Sequence, residues 1–270
     1  MIYDELFDVK NDVVIITGAS GQLGLSYQKA FLDRGATVIG LDLTKSESIN
    51  KLESEYSQEY LFQIGDITSK ESLNDCLKLI ISKFGPPTVL INNAAIDSPP
   101  DAPAEETGPF EFYPEESWDN VVNVNLKGTF LACQVFGSEM AASGKGSIIN
   151  IASIYGLVSP DQSLYEYRRQ KGQDFYKPVA YSASKSGLIN LTRYLAVYWA
   201  KKKVRVNTLT IAGVFNNQEE EFLKAYESRI PIGLMADKSQ YNGSVLFLAS
   251  EASSYMTGSN LVIDGGWTAI

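Results

Sequence analysis

The chain has 270 residues, 44% of them hydrophobic, which fits one large domain or two small ones and excludes a disordered chain. It contains no histidine and only two cysteines, Cys76 and Cys133, so a Ser-His-Asp triad, a His-ligated or Cys-rich zinc site and a disulfide framework are excluded. The net charge of −9 comes mostly from residues 97–126, which hold eight acidic residues and no basic one. The sequence has no basic stripe of the kind that binds nucleic acid.

The amino-terminal segment does not resemble an export signal. Its sequence, MIYDELFDVKND, is acidic and lacks the basic and apolar parts of a signal peptide. No apolar run approaches the ~18 residues that indicate a membrane span. We therefore expect a cytoplasmic protein that acts on a small molecule, with neither nucleic acid nor membrane as partner.

Short apolar runs rich in β-branched residues alternate with helical patterns along the whole chain. Such runs suit strands buried on both faces of a parallel sheet, and their alternation with helices is typical of a doubly wound α/β domain. Residues 1–270 are therefore predicted to form one domain around about seven parallel strands, a Rossmann fold. The predicted strands are 13–17, 37–41, 60–64, 88–91, 147–152, 204–209 and 261–264, and the predicted helices are 22–34, 70–84, 118–142, 179–202 and 239–250.

A glycine-rich turn joins the first strand to the first helix. Its sequence is TGASGQLG, residues 17–24, with glycines three residues apart. Glycine permits the tight turn, the approach of a pyrophosphate to the backbone and close packing of the helix on the sheet. The helix N-terminus offers free N–H groups to phosphates. We expect a nucleotide here; a tight turn that binds nothing is the alternative.

Asp42 ends the second predicted strand, 24 residues after Gly18. A carboxylate at this place can bind the adenosine ribose hydroxyls and would repel a 2′-phosphate. No arginine or lysine occupies residues 18–24 or 41–43, although Lys45 follows closely. The sequence therefore predicts NAD as cofactor, while an ordinary strand-ending aspartate is the alternative.

Two long segments follow the carboxyl ends of strands, the edge at which open α/β sheets bind ligands. Residues 97–117 hold five prolines and most of the acidic excess, which predicts a surface loop that solvates or covers the site and binds no metal. Residues 154–178 contain four tyrosines and several basic residues. Connections of this length in a compact domain are usually functional or disordered.

Tyr181 and Lys185 begin a long predicted helix, where their i,i+4 spacing places them on one face. Without histidine, proton chemistry must use carboxylates, tyrosine, lysine or a cofactor. The pKa of tyrosine lies near 10, and lowering it by about three needs roughly 4 kcal/mol, which a neighbouring ammonium and a helix N-terminus help to supply. We expect such a lowering for Tyr181; a surface pair on a helix is the alternative.

Two polar residues accompany this pair. Ser153 follows the strand 147–152, where its hydroxyl can hold a substrate oxygen; a serine that merely opens a loop is the alternative. Asn125 lies inside the helical pattern VVNVNLKGTF, although asparagine is a poor helix former. A helix kink or a water anchor is one interpretation of Asn125, and a satisfied buried amide is the other.

Taken together, these residues resemble the short-chain dehydrogenase/reductase family, in particular its shorter subgroup. The resemblance covers roughly residues 10–268. It implies an NAD(H)-dependent oxidoreductase that transfers a hydride between nicotinamide and a secondary alcohol or ketone. It rests on TGASGQLG, Asp42, Asp66-Ile67, NNAA at 92–95, Asn125, Ser153, Tyr181-x-x-x-Lys185 and VIDGG at 262–266.

The resemblance also implies roles for individual residues. Tyr181 would be the general acid/base, Lys185 would lower its pKa and hold the nicotinamide ribose, Ser153 would orient the carbonyl or alcohol, and Asn125 would anchor a relay water. A homodimer or homotetramer through helices 118–142 and 179–202 is implied as well. The implied cofactor-binding residues are Gly18, Ser20, Gly21, Gln22, Leu23, Gly24, Asp42, Asp66 and Ile67 at adenine, Asn93, Ala94, Tyr181, Lys185 and Val214.

Three features depart from the family pattern. Gln22 stands where the shorter subgroup has glycine, Ile211-Ala212 stand where proline and glycine are usual, and Ser153 and Tyr181 are 28 residues apart, about twice the usual number. The G-x-x-G-x-x-G spacing is similar to that of the nucleotide-sugar-modifying subgroup. Two alternatives therefore remain: a nucleotide-sugar isomerase or dehydratase, and a nucleotide-sensing or partner-binding protein with impaired catalysis.

A second, narrower resemblance concerns the segment 154–178 together with 213–218 and 253–269. These segments are similar to members of the family associated with bacterial surface-carbohydrate and flagellin-glycan biosynthesis. The similarity implies a sugar or an activated sugar as substrate. Arg168, Arg169 and Lys171 would then meet phosphate, although a solvated loop or a subunit contact is favoured for these three.

Overall fold

One sheet of seven parallel strands organises the chain in the computed structural model, which describes residues 5–97 and 104–270. Part of the predicted loop 97–117, with Asp101, lies outside the described residues. Every neighbouring pair of strands is parallel, and the order is β3-β2-β1-β4-β5-β6-β7. The strands are β1 (Val13–Thr17), β2 (Thr37–Asp42), β3 (Tyr60–Ile64), β4 (Val89–Asn92), β5 (Gly146–Ser153), β6 (Val204–Ile211) and β7 (Asn260–Ile263).

Helices cover both faces of this sheet, as expected for parallel strands joined by crossovers. The buried residues of α1, α2 and α11 pack on one face, and those of α3, α6, α7 and α9 pack on the other. The helices are α1 (Gln22–Leu32), α2 (Glu47–Glu55), α3 (Lys70–Phe84), α4 (Ala104–Thr107), α5 (Glu115–Val122), α6 (Thr129–Ala132), α7 (Ser138–Ser143), α8 (Glu166–Gln170), α9 (Val179–Trp199), α10 (Glu220–Glu227) and α11 (Asn242–Ala249).

Successive residues of β1 show why the sheet has two cores. Val14 and Ile16 join the cluster on the α1 face, whereas Val13 and Ile15 join the cluster on the α3 face. Side chains alternate between the faces of a strand, so a strand covered on both faces needs an unbroken apolar run. This is the pattern from which the strands were predicted, and all seven predictions agree with the observed strands to within two residues at either end.

The predicted helices differ more from the structure. The prediction 118–142 corresponds to a continuous helical stretch from Glu115 to Ser143, but two π-helical segments, Asn123–Gly128 and Cys133–Gly137, interrupt it. The sequence prediction missed α2, α4, α8 and α10. These four helices are short and mostly exposed, so they carry too few buried positions for a clear helical period.

Strand order reverses between β1 and β4, which places the ligand-binding crevice of the sheet at their carboxyl ends. The segment 154–178, which follows β5 at the same edge, contains α8 and two short 3₁₀ turns and packs with α10 in a third cluster of buried side chains. Within the described part of the chain, no helix combines the length and apolarity needed to cross a bilayer.

Candidate active site

The glycine turn after β1 has a geometry that other residues would not adopt. Gly18 has φ +66°, and a Cβ atom there would lie 2.8 Å from the Cα atom of Ala94. A Cβ atom on Gly24 would lie 2.2 Å from the Gly18 carbonyl oxygen. The Asn93 side chain holds the turn from the other side, because its Nδ2 donates to the carbonyls of Thr17 (3.0 Å) and Gly18 (3.1 Å). Glycine is therefore required at both positions.

A groove of about 410 Å³ runs from this turn across the ends of β2 and β4. Of the residues predicted to bind the cofactor, ten line the groove: Gly18, Gly21, Gln22, Leu23, Asp42, Asp66, Ile67, Asn93, Ala94 and Val214.

Four of the predicted cofactor-binding residues lie outside this lining. Ser20 turns its hydroxyl away to the Thr44 carbonyl (2.6 Å), and Gly24 is packed against the turn. Tyr181 and Lys185 belong to the neighbouring catalytic cluster. The structure therefore assembles most of the predicted set on one surface.

Asp42 is held rigidly at the edge of the groove. Its Oδ2 accepts from the Ser20 N–H at 2.8 Å and its Oδ1 accepts from the Leu43 N–H at 2.7 Å. Each carboxylate oxygen retains capacity for another hydrogen bond. No arginine or lysine is among the described residues that line the groove. The groove thus offers an anionic acceptor at the end of β2 and no cation to offset it.

Ser153, Tyr181 and Lys185 come together at the carboxyl edge of the sheet. Ser153 is the last residue of β5, and α9 begins directly after Pro178, so its first turns lie beside that strand end. The Ser153 side chain lies near enough to the Tyr181 hydroxyl to lower the pKa of Tyr181, and both residues line one pocket. Lys185 Nζ is buried, donates to the Ile151 carbonyl at 2.8 Å and lies 5.6 Å from the centre of the Tyr181 ring. The structure thus brings the three predicted residues into one cluster.

The groups of the chain itself shift the pKa of Tyr181 in the direction opposite to the one predicted for a site with a cationic nicotinamide beside it. Burial and the Asp97 carboxylate raise the pKa of Tyr181, and Ser153 lowers it by less. Removal from water disfavours the charged phenolate. Burial lowers the pKa of Lys185 to about 8, so its ammonium is still mostly protonated at pH 7.

Asn125 lies in the first π-helical segment and is fully buried. Its Oδ1 accepts from the Ile96 N–H (2.8 Å), and its Nδ2 donates to the Ile96 carbonyl (2.9 Å) and to Ser184 Oγ (3.1 Å). Its backbone carbonyl accepts from Thr129 Oγ1 at 2.9 Å. Asn125 therefore lies at a change of helix geometry and also has its side-chain amide fully hydrogen-bonded. Its hydrogen bonds connect the chain after β4 to α9.

A second cavity, of about 350 Å³, contains Ser153 and Tyr181. Leu23 and Val214 line both this pocket and the groove, so the two cavities adjoin. Gln22, the first departure from the family pattern, lies at this junction and donates from Nε2 to the Phe215 carbonyl at 2.7 Å. The long side chain therefore ties the glycine turn to the loop after β6.

Ile211 and Ala212, the second departure from the family pattern, form part of the pocket wall. The next residue, Gly213, donates its N–H to the Tyr226 hydroxyl at 2.7 Å. The Ala212 carbonyl accepts from the Tyr241 hydroxyl at 3.3 Å. Two tyrosines therefore hold the backbone at the place where the family usually has proline and glycine.

The basic residues of the segment 154–178 form ion pairs within the chain. Arg168 pairs with Glu219 (3.1 Å), Lys171 with Glu221 (3.0 Å), and Arg169 with Glu166 (2.9 Å). Arg169 also donates to the Gln162 and Phe175 carbonyls. Arg168 is buried and Arg169 is half-buried, whereas Lys171 is exposed, as expected for a solvated residue, and each of the three has a carboxylate partner within the chain.

Sequence reasoning missed much of the pocket wall. Aromatic side chains surround the catalytic pair, and two further charged residues, Asp97 and Lys177, lie inside. Lys177 precedes Pro178 and lies outside α9, so helical spacing gave no reason to select it. Tyr155, Tyr165 and Phe175 belong to the segment 154–178 that the sequence placed at this edge, but no single one of them was selected. Phe222, Tyr226 and Met235 come from more distant segments and left no signal in the sequence.

Comparison with known proteins agrees with this geometry. A family model described as "Enoyl-(Acyl carrier protein) reductase" matches residues 18–268. The chain is 31% identical to an NAD-dependent glycerol dehydrogenase of Listeria innocua, over 98% of this chain and 97% of that one. It is also 31% identical to post-translational flagellin modification protein A of Campylobacter coli, over 96% and 99% of the two chains.

Solved structures show the same likeness. A short-chain dehydrogenase from Leptospira borgpetersenii, crystallised with bound NAD+, superposes with a TM-score of 0.86 at 34% identity and covers 99% of this chain and 97% of its own. The expected resemblance is therefore confirmed over the whole described fold, together with the doubly wound parallel sheet. The chain belongs to the short-chain dehydrogenase/reductase family of oxidoreductases.

Proposed function

We propose that the protein is an NAD(H)-dependent oxidoreductase that interconverts a secondary alcohol and a ketone on a sugar or polyol. The observation that carries this proposal is that Ser153 and Tyr181 lie together in a pocket that adjoins the nucleotide groove, with the buried Lys185 ammonium beside the Tyr181 ring. A proton donor, an oxygen-binding hydroxyl and a fixed ammonium are the groups that this reaction needs from a protein.

Each residue of the site has a proposed role in the reaction. A substrate oxygen bonded to Ser153 lies beside the Tyr181 hydroxyl, which donates a proton during reduction and accepts one during oxidation. The Lys185 ammonium stabilises the tyrosinate in the second case. Asn125 holds α9 and the chain after β4 in fixed positions by hydrogen bonds to both. A bound nicotinamide supplies the hydride transfer that these residues do not perform.

The groove fits a dinucleotide because its glycine turn leaves the backbone uncovered and its far end carries Asp42. Gly18, Gly21, Gln22 and Leu23 would face the pyrophosphate at the start of α1. Asp66 and Ile67 would face the adenine, and Asn93, Ala94 and Val214 would line the path towards the active site. The Asp42 carboxylate favours NAD, since a 2′-phosphate would meet a like charge.

Replacing Asp42 with asparagine tests the cofactor preference. The Asp42→Asn variant keeps the shape and removes the charge, so we expect kcat/KM to fall about tenfold with NAD and to rise about tenfold with NADP, because a like-charge contact costs more than 1 kcal/mol. Initial rates with both cofactors measure the effect. Asp75→Asn removes the same charge on the exposed face of α3 and should leave the ratio unchanged. An unaltered ratio in the first variant would contradict the role of Asp42.

The reaction itself is tested by following NADH absorbance with a panel of polyols, sugars and their ketones. We expect turnover of at least one neutral polyol or keto sugar. The name of the Listeria relative, a glycerol dehydrogenase, makes glycerol a suitable first substrate. Binding of NADH without turnover of any member would favour the nucleotide-sensing alternative. A change in a nucleotide sugar without net oxidation would favour the isomerase or dehydratase, although the 25-residue segment 154–178 is small for a second substrate domain.

We also propose that the protein assembles into a homodimer or homotetramer. Helix α9 exposes a row of large side chains, Tyr194, Val197 and Tyr198, and Phe130 of α6 is exposed as well. The rings of Tyr194 and Tyr198 stack with centres 6.0 Å apart, which makes a flat apolar face. Such faces on long helices are typical of subunit interfaces. The expected cytoplasmic location stays a prediction.

Val197, which is 82% exposed, allows a direct test of the interface. We expect the wild-type protein to be dimeric or tetrameric by light scattering and the Val197→Glu variant to have a smaller mass, because the interface would then bury an unpaired charge. Gln58→Glu adds the same charge on an exposed residue before β3 and should leave the mass unchanged. A monomeric wild type would contradict the proposed assembly.

A further inference from the structure

Two oppositely charged residues lie inside the active-site pocket, beside the Ser153–Tyr181 pair. Asp97 comes five residues after β4, and Lys177 comes four residues before Tyr181. Their side chains form an ion pair, although the Lys177 side chain is only 9% exposed. Lys177 Nζ lies 5.3 Å from the centre of the Tyr181 ring. Two ammonium groups therefore lie near the Tyr181 ring, that of Lys185 and that of Lys177, and the second is paired with Asp97.

The charges of this pocket balance. Among the described lining residues, the other charged side chains are Arg168 and Glu219, and these two also pair with each other. A substrate phosphate or carboxylate would therefore meet two carboxylates. Both cations of the lining are already paired with these carboxylates. Burying an anion against such a background is costly. The pocket is consequently suited to a neutral substrate.

The Asp97–Lys177 pair provides complementary hydrogen-bonding groups. An ammonium only donates and a carboxylate only accepts, whereas a hydroxyl group does both. One hydroxyl beside the pair could accept from the ammonium and donate to the carboxylate, with charge-assisted hydrogen bonds to both. Much of the remaining wall is aromatic and would pack on the carbon chain of the substrate. Tyr165, Phe175, Phe222 and Tyr226 form this wall, with ring centres 4.7 to 5.6 Å apart along the series.

The pair also lies close to the reacting centre. Asp97 and Lys177 line the same pocket as Ser153 and Tyr181, and Lys177 Nζ lies 5.3 Å from the centre of the Tyr181 ring. A small substrate whose oxygen is held by Ser153 and Tyr181 would therefore have its neighbouring carbon within reach of the pair. A group this close to the chemistry is able to recognise the substrate position directly beside the one that reacts.

We propose that Asp97 and Lys177 bind the hydroxyl group on the carbon next to the reacting carbon, which makes neutral vicinal diols and their α-hydroxy ketones the substrate class. This inference rests on the proposed function and narrows its substrate. It predicts discrimination against alcohols that lack the neighbouring hydroxyl, because such a substrate would cover the buried Lys177 ammonium and the exposed Asp97 carboxylate without making a hydrogen bond to either.

Butane-2,3-diol and butan-2-ol test the inference, since they differ only in the neighbouring hydroxyl group. With wild-type enzyme and NAD, we expect kcat/KM to be at least about 100-fold higher for the diol, as two charge-assisted hydrogen bonds imply. In Lys177→Met and in Asp97→Asn the ratio should fall at least tenfold, with most of the loss in KM for the diol. The control is Lys171→Met, which removes an exposed lysine from its pair with Glu221 outside the pocket and should keep the wild-type ratio.

A single substitution leaves one charge of the pair without its partner and could impair folding. The double variant Asp97→Asn/Lys177→Met removes both charges together, and its thermal unfolding shows whether the fold is intact. We expect the double variant to be folded and to have the same low ratio as the single variants. Lys177→Arg retains a donor and a charge and should keep part of the preference for the diol.

Two results would overturn the inference while leaving the oxidoreductase function standing. One is a diol-to-alcohol ratio that is the same in wild type and in all the Asp97 and Lys177 variants. The other is a preference of the wild type for glycerol 3-phosphate over glycerol, because the pocket charges predict the reverse. If the wild type binds NADH but oxidises no alcohol and reduces no ketone, the proposed function itself fails and the inference fails with it.

Discussion

Replacement of Tyr181 with phenylalanine is expected to lower kcat by about 10³-fold or more while leaving NADH binding within about threefold of the wild type. The substitution removes one oxygen atom, the one that exchanges a proton with the substrate, and general acid–base catalysis contributes about 10² to 10⁴ in rate. The ring itself remains between Lys177 and Lys185. Steady-state rates measure the loss, and quenching or enhancement of NADH fluorescence measures the binding.

Tyr176→Phe is the matched control for this experiment. Tyr176 loses the same hydroxyl group but lies outside the pocket that contains Ser153 and Tyr181. We expect its kcat to remain near the wild-type value. Full activity in Tyr181→Phe would contradict the assignment of the proton donor, and loss of NADH binding would indicate that the hydroxyl supports the cofactor site instead of the reaction.

Replacement of Lys185 with methionine is expected to lower activity by at least 100-fold without destabilising the protein. The ammonium is buried, and its charge supports the tyrosinate that forms during alcohol oxidation. Taking that charge out of water is unfavourable, so an apolar side chain of similar length removes a cost to folding. The variant also leaves the Ile151 carbonyl without its donor, which offsets part of the gain. We expect the unfolding free energy at pH 7 to be unchanged or higher by up to about 2 kcal/mol.

The pH dependence of this stability difference follows from the pKa of Lys185. Burial lowers it from 10.5 to about 8, so the unfolded chain binds the ammonium proton more tightly than the folded protein does. The cost to folding is therefore complete below pH 8, shrinks between pH 8 and pH 10.5, and vanishes above that range. The stability advantage of Lys185→Met over wild type should shrink over the same interval.

Urea unfolding of both proteins at pH 7 and at pH 9.5 measures these two differences. A loss of more than about 2 kcal/mol in the variant at pH 7 would show that the hydrogen bond to Ile151 outweighs the desolvation of the ammonium. Ser186→Ala changes the next residue of α9, which is exposed, and should alter neither activity nor the pH dependence of stability by a comparable amount.

The strands could be predicted from the sequence because each is buried on both faces. The side chains of an unbroken apolar run such as VVIIT point alternately into the two cores, so every position is apolar. A helix of the same length buries only one side and does not require an unbroken apolar run. Helices α2, α8 and α10 were missed for the opposite reason. Each buries at most two side chains, so contacts with other segments determine these helices more than their own periodicity does.

The site shows the same division. TGASGQLG, Asp42, Ser153 and Tyr181-x-x-x-Lys185 could be predicted because a turn with positive φ needs glycine, i,i+4 spacing puts two side chains on one helix face, and the whole set together resembles the family. The direction of the Tyr181 pKa could not be found in this way. Spacing places an ammonium near the ring, but burial and the charge of Asp97 depend on segments far away in sequence.

The basic residues of the segment 154–178 make the point most directly. From the sequence, Arg168 and Lys171 had no visible partners, and phosphate or solvent was the natural expectation. In the folded chain both pair with carboxylates near α10, about fifty residues further on. An ion pair depends on distance in space, and this information is absent from a linear pattern unless the two residues share one element.

The alternation of apolar runs was sufficient to determine the sheet, and the ordered motifs predicted the nucleotide-binding turn and Tyr181 as the proton donor, with the absence of histidine removing the commonest competing sites. These features depend on local backbone geometry and on burial along single elements, which a sequence carries directly. Only the tertiary structure decided what surrounds that tyrosine: the adjoining of groove and pocket, the balanced charges and the position of Asp97 and Lys177. Substrate recognition depends on these long-range contacts, because the pocket wall is assembled from segments that meet only when the chain folds.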